Sequence, residues 1–287
     1  MQHFIKKIFS SLLPVILFGT TLLAQDSTLG NYVDNNKYNF SQFASETWGF
    51  IKQPAKWDGS DWLKIGALGV STFLLMQVDE PVRRLVNHDT KFTKSVPMEF
   101  GNLWGEIIFT EALFGAFSIY ALYNGDKTAH KIAFEIAQAT FYTFYVNGSL
   151  KFIIGRARPY LNQGNQTYVP FSEYTNIDHQ SFPGGHTGIV MALTTILSRN
   201  AKPTWLKVLA YFPALLSIVG RIYLDKHWTS DVFFGGAIGY LTATWVVDQH
   251  EKAIEYNIKE SPPGIGGINI QPYLMGDSYG LGFTLHL

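Results

Sequence analysis

Six apolar stretches dominate the chain, at about Trp62–Val78, Leu103–Tyr123, Thr128–Ile154, Thr187–Leu197, Trp205–Tyr223 and Asp231–Val247. Polar clusters punctuate them, among them Asp79-Glu80-Pro81, Asn124-Gly125-Asp126 and Arg199-Asn200-Ala201-Lys202-Pro203. Such clusters end helices and form turns. The pattern predicts an all-α fold, a six-helix bundle over residues 61–250. Residues 25–60 are polar and aromatic without a sustained period, which predicts an irregular arm with a short helical piece around Phe40 to Ile51. The tail, 251–287, changes period. Tyr279, Leu281, Phe283, Leu285 and Leu287 alternate with smaller or polar residues after a Met-Gly-Asp-Ser turn, the pattern of a small C-terminal β-hairpin. A lone hairpin cannot close a barrel, so the tail is read as an appendage to the bundle.

A bilayer span needs about 20 consecutive apolar residues. Thr187–Leu197 is shorter, Thr128–Ile154 carries Lys131, Glu135, Gln138 and Lys151, and Leu103–Tyr123 holds Glu106 and Glu111. Trp205–Gly220 and Val232–Val247 are apolar on most faces. Buried helices of a soluble bundle and short membrane helices share these properties, so membrane contact is expected while spanning stays open. The N-terminus adds a compartment. Lys6 and Lys7 precede an apolar run from Ile8 to Leu23, and Ala24 is followed by Gln25-Asp26-Ser27. This is the layout of a secretory signal peptide over residues 1–24, cleaved after Ala24, with a retained anchor as the alternative. The expected location is therefore extracytoplasmic, the periplasm, with membrane association or integration open.

Composition narrows the classes. Charged residues are 15% of the chain, lean for a soluble protein, yet the mean hydropathy of +0.05 is low for a polytopic membrane protein. Formal net charge is zero, so no nucleic-acid partner is expected. The absence of cysteine excludes disulfides, thiolate catalysis and thiolate metal sites.

Three polar segments at the ends of apolar stretches carry the candidate chemistry. In the first, Lys151 and Arg158 are seven residues apart, two helical turns if the helix continues, so both would project from one face. Pro159 places the Arg158 guanidinium at the helix end, and Arg156 falls on another face and is the weaker candidate. An ordinary solvated helix terminus would read the same way. In the second, Ser181-Phe182-Pro183-Gly184-Gly185-His186 opens an apolar run. Glycine amides at a helix N-terminus can bind phosphate, with His186 at the mouth; a plain Pro-Gly-Gly turn is the competing reading. In the third, Arg221 ends a stretch, Thr229-Ser230-Asp231 has capping composition, and His227 precedes the new helix. A carboxylate at 231 against one ring nitrogen would fix the tautomer and leave the other nitrogen as nucleophile. His186, His227 and Asp231 have the ligand types for a divalent ion, but three nearby cations oppose one, so no metal or cofactor is expected.

Together these segments resemble the signature of the type 2 phosphatidic acid phosphatase and vanadium haloperoxidase superfamily: Lys-x6-Arg-Pro, Pro-Ser-Gly-His and Ser-Arg-x5-His-x3-Asp. Lys151 and Arg158-Pro159 match the first part, Pro183, Gly185 and His186 the second, and Arg221, His227 and Asp231 the third. Gly184 and Gly220 stand where the pattern has serines. Losing the first hydroxyl removes a hydrogen bond worth about 1 kcal/mol, which predicts weaker turnover or altered substrate choice.

The resemblance implies a metal-independent phosphatase acting through a phosphohistidine on His227. Lys151, Arg158, Arg221 and the backbone of Gly184 and Gly185 would hold the phosphate, His186 would serve as acid and then base, and Asp231 would orient His227. Alternatives are a vanadate-dependent haloperoxidase, a phosphotransferase and a lipid-phosphate-binding pseudoenzyme. The leader and the apolar helices favour a lipid phosphate or pyrophosphate of the envelope as substrate. Tyr160, Tyr168, Phe171 and Tyr174, in the loop between the first two motifs, would suit such an amphipathic molecule.

Overall fold

Short polar side chains start three of the long helices. In the computed structural model, Asn39 Oδ1 accepts from Gln42 N at 3.0 Å, Asp58 Oδ1 from Asp61 N at 2.9 Å and Asp126 Oδ1 from Ala129 N at 2.9 Å, each satisfying an amide that has no intrahelical acceptor. The structure describes residues 36–86, 92, 94–171 and 176–259, with the backbone of 268–275 and 278–285. The leader expected over 1–24 and the arm before Asn36 lie outside the described residues.

The chain divides into two units. The described part of the larger one, Tyr38–Asp248, is predominantly helical: α1 (Phe40–Ile51), α2 (Gly59–Leu85), α3 (Val96–Trp104), α4 (Ile107–Asn124), α5 (Lys127–Ile154), α6 (Gly185–Asn200), α7 (Thr204–Leu209), α8 (Phe212–Tyr223) and α9 (Thr229–Lys259). All six apolar stretches fall on helices, but two of them break. Leu103–Tyr123 is interrupted at Gly105-Glu106, where a Cβ on Gly105 would stand 2.3 Å from Ser217 Oγ. Trp205–Tyr223 is interrupted at Ala210-Tyr211, just before Pro213 near the start of α8, where the missing N–H is harmless. With α1 added, the helices outnumber the six expected. The second unit includes Lys37 and the chain from Gln249; there Asn36 Nδ2 donates to His250 O at 3.1 Å, and strands β1 (Ile268–Met275) and β2 (Ser278–Leu285) pair antiparallel, Ile268 opposite Leu285.

The core of the larger unit lies where α5 packs against both α4 and α6. Phe134, Ile136, Ala139 and Tyr142 of α5 meet Leu193 and Ile196 of α6, Ala243, Val246 and Val247 of α9, and Phe114 of α4. Each large side chain so buried contributes about 1.5–3 kcal/mol. The contact that matters most for function is the crossing of α6 and α9. A Cβ on Gly235 would lie 2.2 Å from Gly184 O, and one on Gly239 would lie 2.0 Å from Gly188 O. Only glycine permits backbones this close, and the close approach sets His186 at the start of α6 beside the His227–Asp231 turn.

Among the described residues, two segments, Ile107–Asn124 and Thr204–Tyr223 (the second broken at Ala210-Tyr211), are by length and composition apolar enough to cross a membrane, with 22% of an 18-residue window of each buried. The core helix of a water-soluble bundle would be mostly covered. These are not.

Candidate active site

Lys151 lies in the last turn of α5, its Nζ donating to Gln180 O at 2.5 Å. The helix stops at Ile154 because Gly155 turns left-handed, φ 62, against a carbonyl: a Cβ there would be 1.8 Å from Val169 O. The spacing from Lys151 to Arg158 is therefore not two helical turns, and the shared-face argument does not apply. Arg158 is extended, φ −75 and ψ 152, and reaches the site by another route, with Nε donating to Ile177 O at 2.8 Å and Nη1 to Lys226 O at 3.3 Å.

Arg156 corrects the sequence reading more sharply. Its guanidinium is fully buried. Nη1 donates to Asp231 Oδ1 at 2.7 Å and Ser230 Oγ at 2.8 Å, Nη2 to Asp79 Oδ2 at 2.8 Å, and Nε to Asn165 O at 2.9 Å. Asp79, near the end of α2, also accepts from Ser230 N at 2.9 Å. Trp228 has Arg83 and Arg156 close to its ring, 5.6 Å and 5.5 Å from the centroid, within cation–π range. Arg83 in turn pairs with Asp225 at 2.6 Å. A lattice of ion pairs thus ties α2 to the turn that carries His227.

His227 is buried, and its Nδ1 lies 2.8 Å from Ser181 O. A carbonyl can only accept, so Nδ1 carries the proton and Nε2 is the nitrogen with a lone pair for attack. The sequence reading gave this task to Asp231, but Asp231 Oδ2 is 3.8 Å from Nδ1, too far for a hydrogen bond. Asp231 acts one step back. It accepts from Ser181 Oγ at 2.5 Å and Trp228 N at 2.9 Å, fixing the residue whose carbonyl holds the ring. Burial pushes the Asp231 carboxyl up, but the nearby His227 imidazole, the Arg156 charge and the Ser181 hydroxyl outweigh burial and hold it below the usual range. Burial pushes the His227 imidazole down to about 3; the Asp231 carboxylate 3.8 Å away opposes this, and Arg158 and Lys151 act in the same direction as burial.

His186 sits in the first turn of α6 and is partly exposed. Burial, then the charges of Arg221, His227, Lys151 and Arg158, hold its imidazole well below the usual histidine range. Those same four charges show the convergence: three cations and both histidines share one electrostatic neighbourhood. Gly185 belongs to it, since a Cβ there would meet Lys151 Cε at 3.2 Å, and its amide opens α6, where no intrahelical acceptor exists. Gly184 departs from expectation. Its N–H already donates to Asp231 O at 2.8 Å, so it ties α6 to α9 and has no proton left for a phosphate. A Cβ at Gly184 would lie 2.5 Å from Thr187 Oγ1 and 2.9 Å from Asp231 O, which explains glycine where the motif has serine.

Glu106, unassigned from sequence, stands at the head of α4 without a side-chain capping hydrogen bond. Its Oε1 is 3.2 Å from Arg221 Nη2 and its Oε2 3.9 Å from His186 Nε2. Of the loop aromatics, Tyr160 donates to Asp178 Oδ1 at 2.6 Å, Tyr168 and Phe171 are exposed, and Tyr174 lies outside the described residues. No group of three His, Cys, Asp or Glu among the described residues is arranged to hold a metal ion.

Residues 133–255 match the family model described as the PAP2 superfamily. Two relatives each match part of the chain. A lipid A 1-phosphatase from Porphyromonas gingivalis is 34% identical over 73 residues, 24% of this chain and 16% of the relative. An undecaprenyl-diphosphatase from Sulfolobus acidocaldarius is 28% identical over 122 residues, 42% of this chain and 54% of the relative. The chain thus spans about half the length of one relative and about a sixth of the other. No solved structure matches.

Proposed function

We propose that this chain, whose residues 133–255 match the PAP2 superfamily model, is a phosphoric ester hydrolase that passes the phosphoryl group through His227 to water, with a lipid phosphate or pyrophosphate as substrate. The observation that carries the reading is the tautomer of His227: Nδ1 is committed to Ser181 O at 2.8 Å, and Nε2 is left for in-line attack beside Lys151 and Arg158. In this reading those two cations and Arg221 hold the equatorial oxygens, where preorganised charge is worth most as negative charge redistributes. The amide of Gly185 adds a donor at the N-terminus of α6. His186 gives its proton to the leaving oxygen and takes one back from the water that cleaves the phosphohistidine. Asp231 holds Ser181 and the turn, and through them the ring.

The lipid assignment is supported by where the site lies on the two exposed apolar segments. Glu106 stands at the start of Ile107–Asn124, and Arg221, near the end of Thr204–Tyr223, touches it. The 18-residue α4 is about 27 Å long, close to the roughly 30 Å apolar thickness of a bilayer. Embedded this way, the segments would place the site at one membrane surface, at headgroup depth. Tyr120, Tyr123 and Trp205, all exposed, would lie towards the opposite interface, where such rings are enriched. Both relatives are named for lipid phosphate or diphosphate substrates. The leader-like residues 1–24 favour an extracytoplasmic surface, with the catalytic helices over 61–250 and the tail over 251–287 as an appendage.

The test is chemical trapping. Wild-type protein quenched during turnover of a phosphorus-labelled lipid phosphate should retain acid-labile, alkali-stable label, and His227→Ala should retain none and release no phosphate. A His227→Ala protein that keeps its tryptophan fluorescence and still hydrolyses the substrate would overturn the assignment.

A further inference from the structure

Glu106 is an acidic neighbour of the site's cations that the phosphatase chemistry has not used. Glu106 reaches Arg221 at 3.2 Å with one oxygen and stands 3.9 Å from His186 Nε2 with the other. Its position is built by the fold. Gly105, just before it, lacks the Cβ that would meet Ser217 Oγ at 2.3 Å and Arg221 Nη2 at 3.6 Å, so the α3–α4 junction presses onto α8 at Arg221. Glu106 then takes extended backbone geometry, φ −79 and ψ 137, at the head of α4, and its side chain remains half exposed at the mouth.

A carboxylate here is unfavourable for holding a phosphate, because it partly cancels the charge of Arg221 and repels the incoming anion. It is favourable for an imidazolium. The charges that act on His186 from the other elements oppose protonation: Arg221 from α8, Lys151 from α5, Arg158 from the loop after α5, and His227 before α9 whenever it is charged. Yet the leaving oxygen of an alkyl ester needs a proton as the bond to phosphorus breaks.

We propose that Glu106 is a positioning residue for the acid step, the counter-charge that holds the His186 imidazolium and Arg221 in register at the mouth while weakening the hold on the phosphate. The inference rests on the phosphatase reading above. In the first half-reaction the His227 Nε2–phosphorus bond forms, the ester oxygen–phosphorus bond breaks, and the His186 proton moves to the leaving oxygen. In the second, water gives its proton to His186 as its oxygen bonds phosphorus and the nitrogen–phosphorus bond breaks.

Glu106→Gln keeps the shape and removes the charge, and two readouts test it. The first is the His186 titration in nitrogen-15 histidine-labelled protein, assigned with His186→Asn. At about 4 Å, a partly solvated carboxylate favours the imidazolium by roughly tenfold, so the midpoint should fall by about one pH unit in Glu106→Gln. The second compares an alkyl phosphate with p-nitrophenyl phosphate, whose leaving group needs little protonation. KM should fall for both, while kcat should fall about tenfold further on the alkyl ester than on the aryl one. An unmoved midpoint overturns the proposal. So does an equal loss of kcat on both esters, which would leave Glu106 as a brace for Arg221 alone. If the wild type hydrolyses neither ester, the phosphatase reading fails on its own, and the titration still reports whether Glu106 and His186 are coupled.

Discussion

Replacing Arg156 by Met should come close to unfolding the protein, although no motif position is touched. The side chain is fully buried and donates to Asp79, Asp231, Ser230 and the Asn165 carbonyl. Met fills similar volume but leaves Asp79 and Asp231, 1% and 0% exposed, as two buried carboxylates with no counter-charge. Removing one partner of a buried ion pair costs about 3–5 kcal/mol, and here one residue serves two pairs. Domains of this kind are stable by only about 5–15 kcal/mol, so the loss takes a large share of the total. Arg156→Lys keeps the charge but cannot donate in both directions and should cost about 1.5–3 kcal/mol. Guanidinium unfolding followed by tryptophan fluorescence suits the test, because Trp228 lies beside Arg156. Adding Asp79→Asn to Arg156→Met should cost less than the two single changes summed, by about 1–3 kcal/mol. Arg156→Met unfolding within 0.5 kcal/mol of wild type, on the scale of an ordinary surface substitution, would refute this account of the ion lattice.

Two further outcomes follow from the same geometry. The folded chain holds His227 at about 3 against 6.5 for the ordinary group; as pH falls below about 6.5 the unfolded chain takes up that proton first, so stability should decline steadily on the acid side. Asp231, held low in the folded state, gives stability that is lost only at more acidic pH, and a denaturation midpoint unchanged between about pH 7.5 and 5 would contradict the burial argument. Gly184→Ser restores the motif residue but places its Cβ 2.9 Å from Asp231 O, so it should lower stability by about 1–3 kcal/mol and lower kcat as well; a variant with raised kcat and unchanged unfolding midpoint would show that the α6–α9 contact has slack.

The helices were legible because helix-ending chemistry is local in sequence, and motif order marks Lys151, Arg158, His186, Arg221 and His227 as candidates for one site. What was misread depended on contacts made after the helices end. Helical spacing was extended past Ile154, so Arg156 was set aside on the grounds of face; a left-handed Gly155 cancels that logic and turns the guanidinium inward. Asp79 sits in a cluster read as punctuation, and nothing local says that its carboxylate will meet residues 156 and 230. The Ser181 carbonyl that sets the His227 tautomer is a backbone atom, invisible to any pattern of side chains. Glu106 was hidden inside an apolar stretch, where a break at Gly105 follows only from how closely α8 passes.

The two positions that departed from the motif do not have the same cause. At 184 the space is closed: the backbone of α9 occupies it, the amide is bonded to Asp231 O, and serine would press against the helix that carries Asp231. At 220 the nearest atom to an added Cβ is Asn102 Oδ1 at 3.0 Å, a buried oxygen with no hydrogen-bond partner. A serine hydroxyl there could donate to it. The first glycine is therefore part of how the two histidine segments are brought together, and its lost hydroxyl is set against the close contact of α6 and α9. The second leaves an open position beside the buried Asn102 Oδ1, an acceptor with no hydrogen-bond partner among the described residues.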